Sequence, residues 1–498
     1  MTGAAVNAAP TVSVAVVTHK RPHLLPRALA AIALLDYPDF EIVVVGDHPT
    51  LDAYDIPPHI AGQIRYVYHA QPNICAARNH AVRASGGEIV AFIDDDAVPE
   101  QSWLAQLVGS FANPNLAAAS GSVRDADGMS FEWQGGWFDS SGEEDPLDDG
   151  SDSLCVSGVN QSKALRFLAL RGVNAAFRRT ALLQVGGFDE AIRYYLDETD
   201  IALRLADAGW DAAFVRHAEV HHLREANAQR GPLRVPGNQY EIGAAKGFFC
   251  SKHLPEAAYA DAIDRFRRRR LADLDAQIRL GLIRARDCDR ISAQLADGEA
   301  DGRQRQSVLP LTEHDIAPPF TPYGAQTKPL RIAVETSWGL RSIAQTRRFA
   351  ASLAEAGHAV TCISHISGPW PSRTTFANGF WLHSGGTWTR PARLLGKPAI
   401  TRRARARSEI ARVSSVRHFD LRLSPDARQR PDAVHTVSLS RSGPVLAVTP
   451  EHDKLDDIEG IRDLLQSIAE ENAGAAQIEH IGIGERGPAS EGTHARNA

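Results

Sequence analysis

Closely spaced cysteines are what this sequence of 498 residues lacks. Its cysteines form no C-x-x-C motif and lie far apart, at positions 75, 155, 250, 288 and 362. Zinc ribbons and disulfide frameworks both need short, regular cysteine spacings, so neither is indicated. Isolated cysteines suit a reducing compartment.

Long apolar segments and an excess of basic residues are also missing. The best membrane candidate, residues 24–35, is too short to cross a bilayer and contains Pro26 and Arg27. We expect no signal peptide, because no basic segment precedes an apolar core near the start. A net charge of −6 argues against a general nucleic-acid partner. These absences predict a cytoplasmic protein and leave contact with the inner face of the membrane open.

Three consecutive aspartates follow a short apolar segment, Ile89 to Ile93. This segment is rich in β-branched and aromatic residues and predicts a buried strand. Adjacent carboxylates repel one another, and a divalent cation is their natural counter-charge because hard cations prefer carboxylate oxygens. Alternation along the strand places Asp94 and Asp96 on one side and Asp95 on the other. The alternative is a solvated acidic turn that caps a helix over residues 101–111.

Strand and helix patterns alternate before this triplet. The predicted elements are strands at 12–17, 40–45, 64–68 and 89–93 and helices at 24–32 and 73–84. Their order predicts an α/β fold with a largely parallel sheet, and the chain length predicts two or three domains. Ligands of such sheets bind at the carboxyl ends of the strands. Thr18, Asp47 and the Asp94–Asp96 triplet all lie at that edge.

These edge residues match the needs of a nucleotide ligand. Asp47 can accept a hydrogen bond from a base or ribose, and Lys20, Arg21 and Arg78 can offset phosphate charge. A divalent ion held by Asp96 would bridge the phosphates. Taken singly, Asp47 is more often a turn residue and Arg78 a solvated helix residue. Their joint position at one edge favours the nucleotide site.

Several short motifs follow one another in a fixed order over about residues 11–252. They are Val16-Val17-Thr18 with Arg21, Val43-Val44-Val45-Gly46-Asp47, Asn73-Ile74 with Ala77-Arg78-Asn79, Phe92-Ile93-Asp94-Asp95-Asp96, Gly172 to Arg179 with Val185 to Glu190, and Tyr195 to Leu205. This series resembles the family 2 glycosyltransferases, which have the GT-A fold. The resemblance implies transfer of a sugar from a nucleotide-diphosphate donor, usually with inversion, to a glycan or small hydroxyl acceptor.

The resemblance also implies roles for single residues. Asp47 would contact the base, Asp94 the ribose side, and Asp96 a divalent cofactor, Mn²⁺ or Mg²⁺. The other donor-side positions would be Thr18, Arg21, Arg78, Asn79 and Asp95, with Asp94 also on the metal, and the acceptor-side positions would be Asn174 and Asp200. Gly46 stands where the family commonly has an acid, which predicts altered recognition of the base.

The catalytic base falls on one of two adjacent acids, Asp197 and Glu198. An attacking hydroxyl must lose a proton, which a carboxylate within hydrogen-bond reach can accept. The family usually has Glu-Asp here, with the aspartate as base, whereas this sequence has the reverse order. Alignment through Asp200 favours Glu198, with Asp197 as the alternative. Helix N-terminal charge is the structural explanation for such acids, and we expect it to apply to Asp200.

Two histidines, His221 and His222, lie beyond a predicted strand over residues 212–215. The resemblance implies that one of them binds the metal as a neutral imidazole. The alternative is a polar surface position for both.

An insertion over residues 124–162 carries Trp133, Trp137 and Phe138. These aromatic side chains either stack on a sugar acceptor or plug the insertion into the domain. The acidic run over residues 143–152 predicts a mobile, solvated loop.

The second half of the chain gives weaker signals. The predicted domains are a leader (1–10), a GT-A domain (11–254), a helical region with a linker (255–328), a smaller Rossmann-like α/β domain (329–472) and a disordered tail (473–498). Residues 329–364 resemble the first half-domain of GT-B glycosyltransferases. The role of this domain stays open between an acceptor-binding or docking module and a decayed transferase. The basic run over residues 402–407 predicts a solvated surface.

Two other functions stay open. A nucleotidyltransferase also presents acids to a metal-bound nucleotide, but it needs a glycine-rich basic loop after the first strand, and His19-Lys20-Arg21-Pro22 has no glycine. A non-catalytic nucleotide-sugar-binding scaffold is the second, because the order Asp197-Glu198 is reversed. The sugar, the base, the acceptor and the oligomeric state are not specified, since a fold does not fix a substrate.

Overall fold

The computed structural model describes most of the chain up to residue 388 and shorter parts beyond it. The described residues are 9–147, 153–158, 166–226, 231, 235–324, 329–335, 340–388, 405, 409–410, 412–414, 416–419, 421–424, 435–440 and 443–448. The predicted leader except for residues 9 and 10, the basic run 402–407 except for Arg405, and the predicted tail lie outside the described residues.

Two α/β units organise the described residues. The first contains β1 (Val12–Val17), α1 (Leu25–Ile32), β2 (Phe40–Gly46), α2 (Pro58–Ala61), β3 (Ile64–Tyr68), α3 (Ile74–Ala84), β4 (Ile89–Asp94), β5 (Ala97–Pro99), α4 (Trp103–Gly109), β6 (Leu116–Arg124), β7 (Phe131–Trp133), β8 (Gly136–Asp139), β9 (Glu144–Pro146), β10 (Leu154–Val156), β11 (Arg166–Leu168), β12 (Ala175–Arg178), α5 (Arg179–Gln184), α6 (Asp197–Asp207), β13 (Asp211–His222), α7 (Tyr240–His253), α8 (Glu256–Arg279) and α9 (Ala285–Gln304). The second contains β14 (Arg331–Glu335), α10 (Leu340–Glu355), β15 (Ala359–Ile366), β16 (Arg373–Ala377), β17 (Phe380–Gly386), β18 (Leu421–Ser424), β19 (His435–Ser440) and β20 (Gly443–Val448).

The main sheet of the first unit runs in the order β10-β13-β6-β12-β4-β1-β2-β3, with β5 beside β13 and β7 beside β6. Strands β1 to β4 are parallel to their neighbours in this group, whereas β12 lies antiparallel between β4 and β6. The side chains of β2 and almost all of those of β1 and β4 are buried, which explains why these strands are apolar except at Ser13, Glu41 and Asp94. The prediction of an α/β fold is confirmed, with parallel pairing in the first half of this unit and mixed pairing in the second.

Helices α7 and α9 pack through glycine contacts. Gly243 and Gly247 of α7 approach the backbone of α9, and Gly298 and Gly302 of α9 approach the backbone of α7. A Cβ atom on Gly302 would lie 1.9 Å from the carbonyl oxygen of Ala244, so no larger residue fits at this contact. Among the described helices, none is both long enough and apolar enough to cross a bilayer.

Residues 305–324, which we call the strap, pack along the first unit. Leu311 and Tyr323 are buried in its main apolar core. The Tyr323 amide donates to the Phe40 carbonyl oxygen at 2.6 Å, and the Val308 amide donates to the Asp189 carboxylate at 2.9 Å. The sequence predicts a linker after the helical region. In the structure this segment begins within the end of α9 and continues as the strap, which packs against the first unit.

The sheet of the second unit runs in the order β16-β17-β15-β14-β18-β20-β19. Its central strands pair in parallel, and β16 and β19 pair antiparallel at the two edges. Helix α10 follows β14 and buries Phe349 and Leu353 against Ile332 and Val360 of the sheet. The order β14, α10, β15 matches the predicted Rossmann-like opening, whereas β16 and β19 were not expected. The predicted domain limits stay a prediction.

Candidate active site

The three aspartates after β4 face two directions, as strand alternation predicts. Asp95 turns towards the end of β1, where its Oδ2 accepts a hydrogen bond from Thr18 Oγ1 at 2.6 Å and its Oδ1 accepts one from Arg21 Nη2 at 2.5 Å. Arg21 Nη1 also donates to Asp96 Oδ2 at 3.2 Å. Thr18 and Arg21, both predicted on the donor side, thus hold the acidic triplet in place.

Asp94, Asp96 and His222 each offer one ligand atom, and these atoms lie within 4.8 Å of one another. Asp96 Oδ1 is buried and accepts no hydrogen bond from any described residue, and His222 Nε2 lies 3.5 Å from it. His222 Nδ1 lies 2.9 Å from Glu132 Oε2, a contact that orients an imidazole for a metal. Two carboxylates and one imidazole suit Mn²⁺ or Mg²⁺. The residues present therefore fit a divalent cation.

Burial has a large effect on the pKa values of the three aspartates and of His222. Burial and the neighbouring Asp96 raise the pKa of Asp94, and burial raises the pKa of Asp95 to about 7 against the effect of Arg21. Burial also opposes the charged forms of Asp96 and His222. The contact between Asp96 and His222 outweighs burial. Together with Arg21 it lowers the pKa of Asp96 to about 2, and together with Glu132 it raises the pKa of His222 to about 10. A divalent cation would supply the positive charge that His222 gives as an imidazolium.

The two histidines lie on opposite faces of β13, which continues past the predicted end at residue 215. His221 Nε2 lies 2.9 Å from Glu100 Oε1, and its ring packs 4.6 Å from the ring of Trp381. His222 is the histidine that groups with Asp94 and Asp96 among the described residues. His222 therefore has the position of a ligand beside Asp94 and Asp96, whereas His221 does not, and metal binding by a histidine stays a prediction.

Asp47, at the end of β2, has a closely packed surrounding. Its Oδ2 accepts a hydrogen bond from the Lys20 amide at 2.9 Å, and Tyr54 Oη donates to its Oδ1 at 3.3 Å. A Cβ atom on Gly46 would lie 2.4 Å from Tyr54 Oη and 2.7 Å from Tyr66 Oη. The two tyrosines therefore occupy the space that an acidic side chain at position 46 would need.

Arg78 and Asp197 form a buried ion pair between α3 and the start of α6. The guanidinium carbon of Arg78 lies 5.7 Å from the ring centre of Phe92 and 5.4 Å from that of Phe188. Arg78 is only 4% exposed. This placement differs from the predicted solvated or phosphate-binding position and gives the Asp197 carboxylate a structural partner.

Glu198 lines a cavity of about 270 Å³. The other side chains around this cavity include Phe138, Glu144, Arg171, Tyr195, Phe266 and Arg270. Tyr195 and Leu196, directly before the acidic pair, have φ angles of 72° and 63°. Residues other than glycine rarely adopt this left-handed backbone, and such strain often marks functional sites. The cavity joins the candidate base to aromatic and charged side chains that suit a polyhydroxylated molecule.

Asn79 and Asn174 use their side-chain amides inside the fold. Asn79 donates to the Phe188 carbonyl oxygen at 2.8 Å and accepts from the Phe188 amide at 2.9 Å. Asn174 Nδ2 donates to the carbonyl oxygens of Ser122 and Ala218 at 3.0 and 2.8 Å. Both asparagines are fully buried, so the structure gives them backbone-bracing contacts in place of the predicted donor and acceptor contacts.

Asp200, predicted on the acceptor side, is also fully buried. Its carboxylate pairs with Arg204 at 2.7 Å, with Lys252 at 2.8 Å and with His253 at 2.7 Å. Burial would raise the pKa of Asp200, but these three partners hold it well below its ordinary value. The contacts support the expected structural role of Asp200, which ties α6 to α7.

The insertion is anchored in the domain. Trp133 and Phe138 are buried and Trp137 is half-buried, which favours plugging over an exposed stacking platform, although Phe138 also lines the cavity. Glu143 lies in the predicted solvated acidic run, yet its Oε1 accepts a hydrogen bond from Lys246 Nζ at 2.9 Å. Lys246 is fully buried. The first residue of the acidic run is thus held by an ion pair to a buried lysine, contrary to the expectation of a solvated loop.

Sequence reasoning missed several residues of the site. Glu132 contacts His222 across 90 positions of the chain, and no local pattern links the two. Tyr54 and Tyr66 restrict position 46 from separate elements. Tyr195 is separated from the acidic pair only by Leu196, so the sequence alone places it near Glu198.

A parallel β-sheet with acids at the carboxyl edge, continued by antiparallel strands, is the architecture of a GT-A nucleotide-diphospho-sugar transferase domain. Residues 13–182 match the model of a family described as Glycosyl transferase family 2. This segment of the chain is therefore a family 2 glycosyltransferase domain.

The curated relatives match only parts of the chain. The succinoglycan biosynthesis protein ExoM of Rhizobium meliloti is 30% identical over 119 residues, which cover 23% of this chain and 38% of that protein. The N-acetylglucosaminyl-diphospho-decaprenol L-rhamnosyltransferase of Mycobacterium tuberculosis is 41% identical over 63 residues, 13% of this chain and 20% of that protein. The chain thus spans well under two thirds of the length of these relatives.

One solved structure, a mannosyltransferase from Pyrobaculum calidifontis in complex with GDP-Man and Mn²⁺, is 19% identical to the chain. The match covers 59% of this chain and 88% of that one, with a TM-score of 0.37.

Proposed function

We propose that this chain transfers a sugar from a nucleotide-diphosphate donor to an acceptor hydroxyl, with a divalent cation and with inversion at the anomeric carbon. The grouping of Asp94, Asp96 and His222 at the carboxyl edge of a family 2 glycosyltransferase domain carries the proposal. Glu198, in a cavity with aromatic walls, supports it from the acceptor side.

The donor side is formed by β1, β2 and β4. Asp94, Asp96 and His222 would hold the cation, which offsets the negative charge of the leaving diphosphate when it is bound. Arg21 and Thr18 keep Asp95 turned away from this group, so that the two other aspartates face the donor. Asp47 presents a carboxylate to the base or ribose.

The acceptor side is formed by the start of α6 and the cavity. Glu198 accepts the proton of the attacking hydroxyl, because a carboxylate within hydrogen-bond reach lowers the barrier to attack. Arg78 keeps Asp197 in its ion pair and thereby fixes the first turn of α6. Attack by the hydroxyl on the face opposite the leaving diphosphate gives inversion in a single displacement.

We further propose that the acceptor is a glycan under assembly. The relatives that support this are named for succinoglycan biosynthesis and for rhamnosyl transfer to a diphospho-decaprenol-linked sugar. The cavity beside Glu198, with Phe138, Tyr195 and Phe266, has the aromatic and carboxylate mixture that sugars bind.

Turnover of the full chain with a panel of nucleotide sugars tests the proposal. Release of nucleoside diphosphate is measured with and without Mn²⁺ and with and without glycan acceptors. We expect one donor to be used, with Mn²⁺ and an acceptor both required. Asp96→Asn should lose the activity that Mn²⁺ supports. Asp207→Asn, at the other end of α6, is the control and should keep the Mn²⁺-dependent activity.

Other outcomes would contradict the proposal in recognisable ways. A donor that raises the melting temperature without any turnover would indicate a binding scaffold. Release of pyrophosphate from a nucleoside triphosphate would indicate a nucleotidyltransferase.

A further inference from the structure

Asp94, Asp96 and His222 are here called the metal group. The second unit rests against the strand pair of β5, which begins directly after Asp96, and β13, which carries His222. β5 pairs with the end of β13, so that Ala97 lies opposite His222 and Val98 lies opposite His221. Opposite residues of an antiparallel pair share a face. One face of this strand pair therefore carries His222 towards the metal group, and the other carries His221 and Val98.

That second face is covered by the second unit. Val98 shares an apolar cluster with Phe376 of β16 and Trp381 of β17. The ring of Trp381 also packs against His221, with ring centres 4.6 Å apart. Both Val98 and Trp381 are almost completely buried, at 1% and 2% exposure. The two units therefore meet directly behind the metal group.

A buried ion pair joins the units at the same place. Arg417 Nε donates to Glu100 Oε2 at 2.6 Å, and Arg417 Nη2 donates to Glu100 Oε1 at 3.0 Å. The same carboxylate contacts His221 Nε2 at 2.9 Å. The guanidinium carbon of Arg417 lies 3.9 Å from the ring centre of Trp381. A two-pronged arginine contact of this kind fixes direction as well as distance.

Arg417 is itself held by the second unit. Its Nη1 lies 2.6 Å from His383 Nε2, and Arg412 Nη2 lies 2.8 Å from the other ring nitrogen of His383. Next to it, the Ser102 amide of the first unit donates to the Val416 carbonyl oxygen at 3.2 Å. Arg417 thus reaches Glu100 from a position fixed on two sides.

We propose that the second unit is a brace for the metal group and that Arg417 is its positioning residue. This inference rests on the proposed function, in which Asp94, Asp96 and His222 bind a divalent cation. The brace holds β5 against β13 and with it sets the separation of Asp96 from His222. The second unit acts on sugar transfer in this way without contacting donor or acceptor.

Mn²⁺ alone, added to the full chain, tests the brace. Arg417→Met is compared with Arg331→Met, which removes a 2.7 Å pair with Asp36 between the same two units at a more exposed place. Affinity is measured by calorimetry and ligand geometry by the electron paramagnetic resonance spectrum of bound Mn²⁺, well below each melting temperature. We expect Arg417→Met to bind Mn²⁺ about 10- to 100-fold more weakly with an altered spectrum. Arg331→Met should match the wild type in both.

Asp96→Asn separates failure of the brace from failure of the proposed function. If Asp96→Asn binds Mn²⁺ like the wild type, the metal group is misassigned and both proposals fail. If Asp96→Asn no longer binds Mn²⁺ while Arg417→Met keeps the wild-type affinity and spectrum, the proposal of the brace is wrong. The proposed function is then unaffected.

A double variant covers the case in which Arg417→Met does not fold. Glu100→Gln/Arg417→Gln removes both charges and leaves no lone buried charge, so it should fold. We expect its Mn²⁺ affinity to fall by about tenfold, since the amides cannot restore the two-pronged contact. Wild-type affinity in the folded double variant would overturn the brace as well.

Discussion

Arg78 and Asp197 lie 119 positions apart in the chain and meet in an ion pair that is almost fully buried. The pair ties α3, beside the donor edge, to the first turn of α6. Glu198 is the next residue in that turn and lines the cavity. Two adjacent acids thus have different surroundings, and their substitutions should have different effects.

Asp197→Asn should cost stability, and Glu198→Gln should cost turnover. Removing one partner of a buried ion pair leaves the other charge uncompensated, which typically costs about 3–5 kcal/mol. Loss of a general base typically lowers the rate by about 10²–10⁴-fold. Urea unfolding and steady-state turnover of both variants measure the two effects. Normal turnover in Glu198→Gln, with activity lost in a fully folded Asp197→Asn, would reassign the base to Asp197.

Glu132→Ala should weaken metal binding, although it replaces none of the three proposed ligands. Glu132 holds the Nδ1 side of the His222 ring at 2.9 Å. Loss of such an orienting carboxylate typically lowers metal affinity about 10- to 100-fold. Mn²⁺ titration by calorimetry gives the change, and Glu313→Ala, at an exposed position of the strap, serves as the control. Equal affinities in the two variants would show that Glu132 does not orient His222.

Gly46→Ala should disturb the surroundings of Asp47. The added Cβ would lie 2.4 Å from Tyr54 Oη, so the buried tyrosine ring must shift. Overpacking of this kind typically costs about 1–3 kcal/mol, and the shift should also weaken donor binding because Tyr54 donates to Asp47. The combined variant Gly46→Ala/Tyr54→Phe removes the nearest atom and should recover part of the lost stability. Thermal unfolding of the single and double variants checks this, and no recovery would mean that Tyr66 alone restricts the position.

The free energy of unfolding of the first unit should decrease at acid pH, in part because Asp200 becomes protonated. Burial opposes ionisation of Asp200, but Arg204, His253 and Lys252 outweigh it and hold its pKa below the ordinary value. A carboxyl group with a lowered pKa in the fold stabilises it above the pKa of the unfolded chain, about 4, and this contribution is lost as the pH falls further. Wild-type unfolding free energy should therefore decrease below about pH 4.

Asp200→Asn isolates this contribution. The variant should be less stable than the wild type at neutral pH, and its unfolding free energy should depend less on pH below about 4. Urea unfolding from acid to neutral pH measures both curves, with Asp207→Asn as the control on the same helix. Parallel curves for Asp200→Asn and the wild type would rule out a lowered pKa for Asp200.

Features that depend on residues adjacent in the chain can be predicted from the sequence. The alternation of Asp94, Asp95 and Asp96 follows from strand geometry, and the bounds of β1 and β3 follow from their β-branched and aromatic residues. The partners of these residues could not be read in this way. Glu132 meets His222 and Arg417 meets Glu100 only because separate segments fold together, across 90 and 317 positions.

The expectations of a solvated acidic run and of a linker differ from the structure for a related reason. Composition predicts solvation for Glu143, but composition does not show that Lys246, far along the chain, supplies a buried counter-charge. The strap reads as a linker because its residues are polar and proline-rich, although Leu311 and Tyr323 enter the main core.

The glycine contacts between α7 and α9 bear on where the chain can be divided. A fragment that ends at residue 254 would keep the segment matched by the family model but would expose the glycine face of α7 to water. It would also leave gaps in the main core where Leu311 and Tyr323 belong. We therefore expect the shortest piece of the first unit that folds alone to end after residue 324, well past the last residue of the family match at 182. The strap thus completes the main core of the first unit, and α9 covers the glycine face of α7.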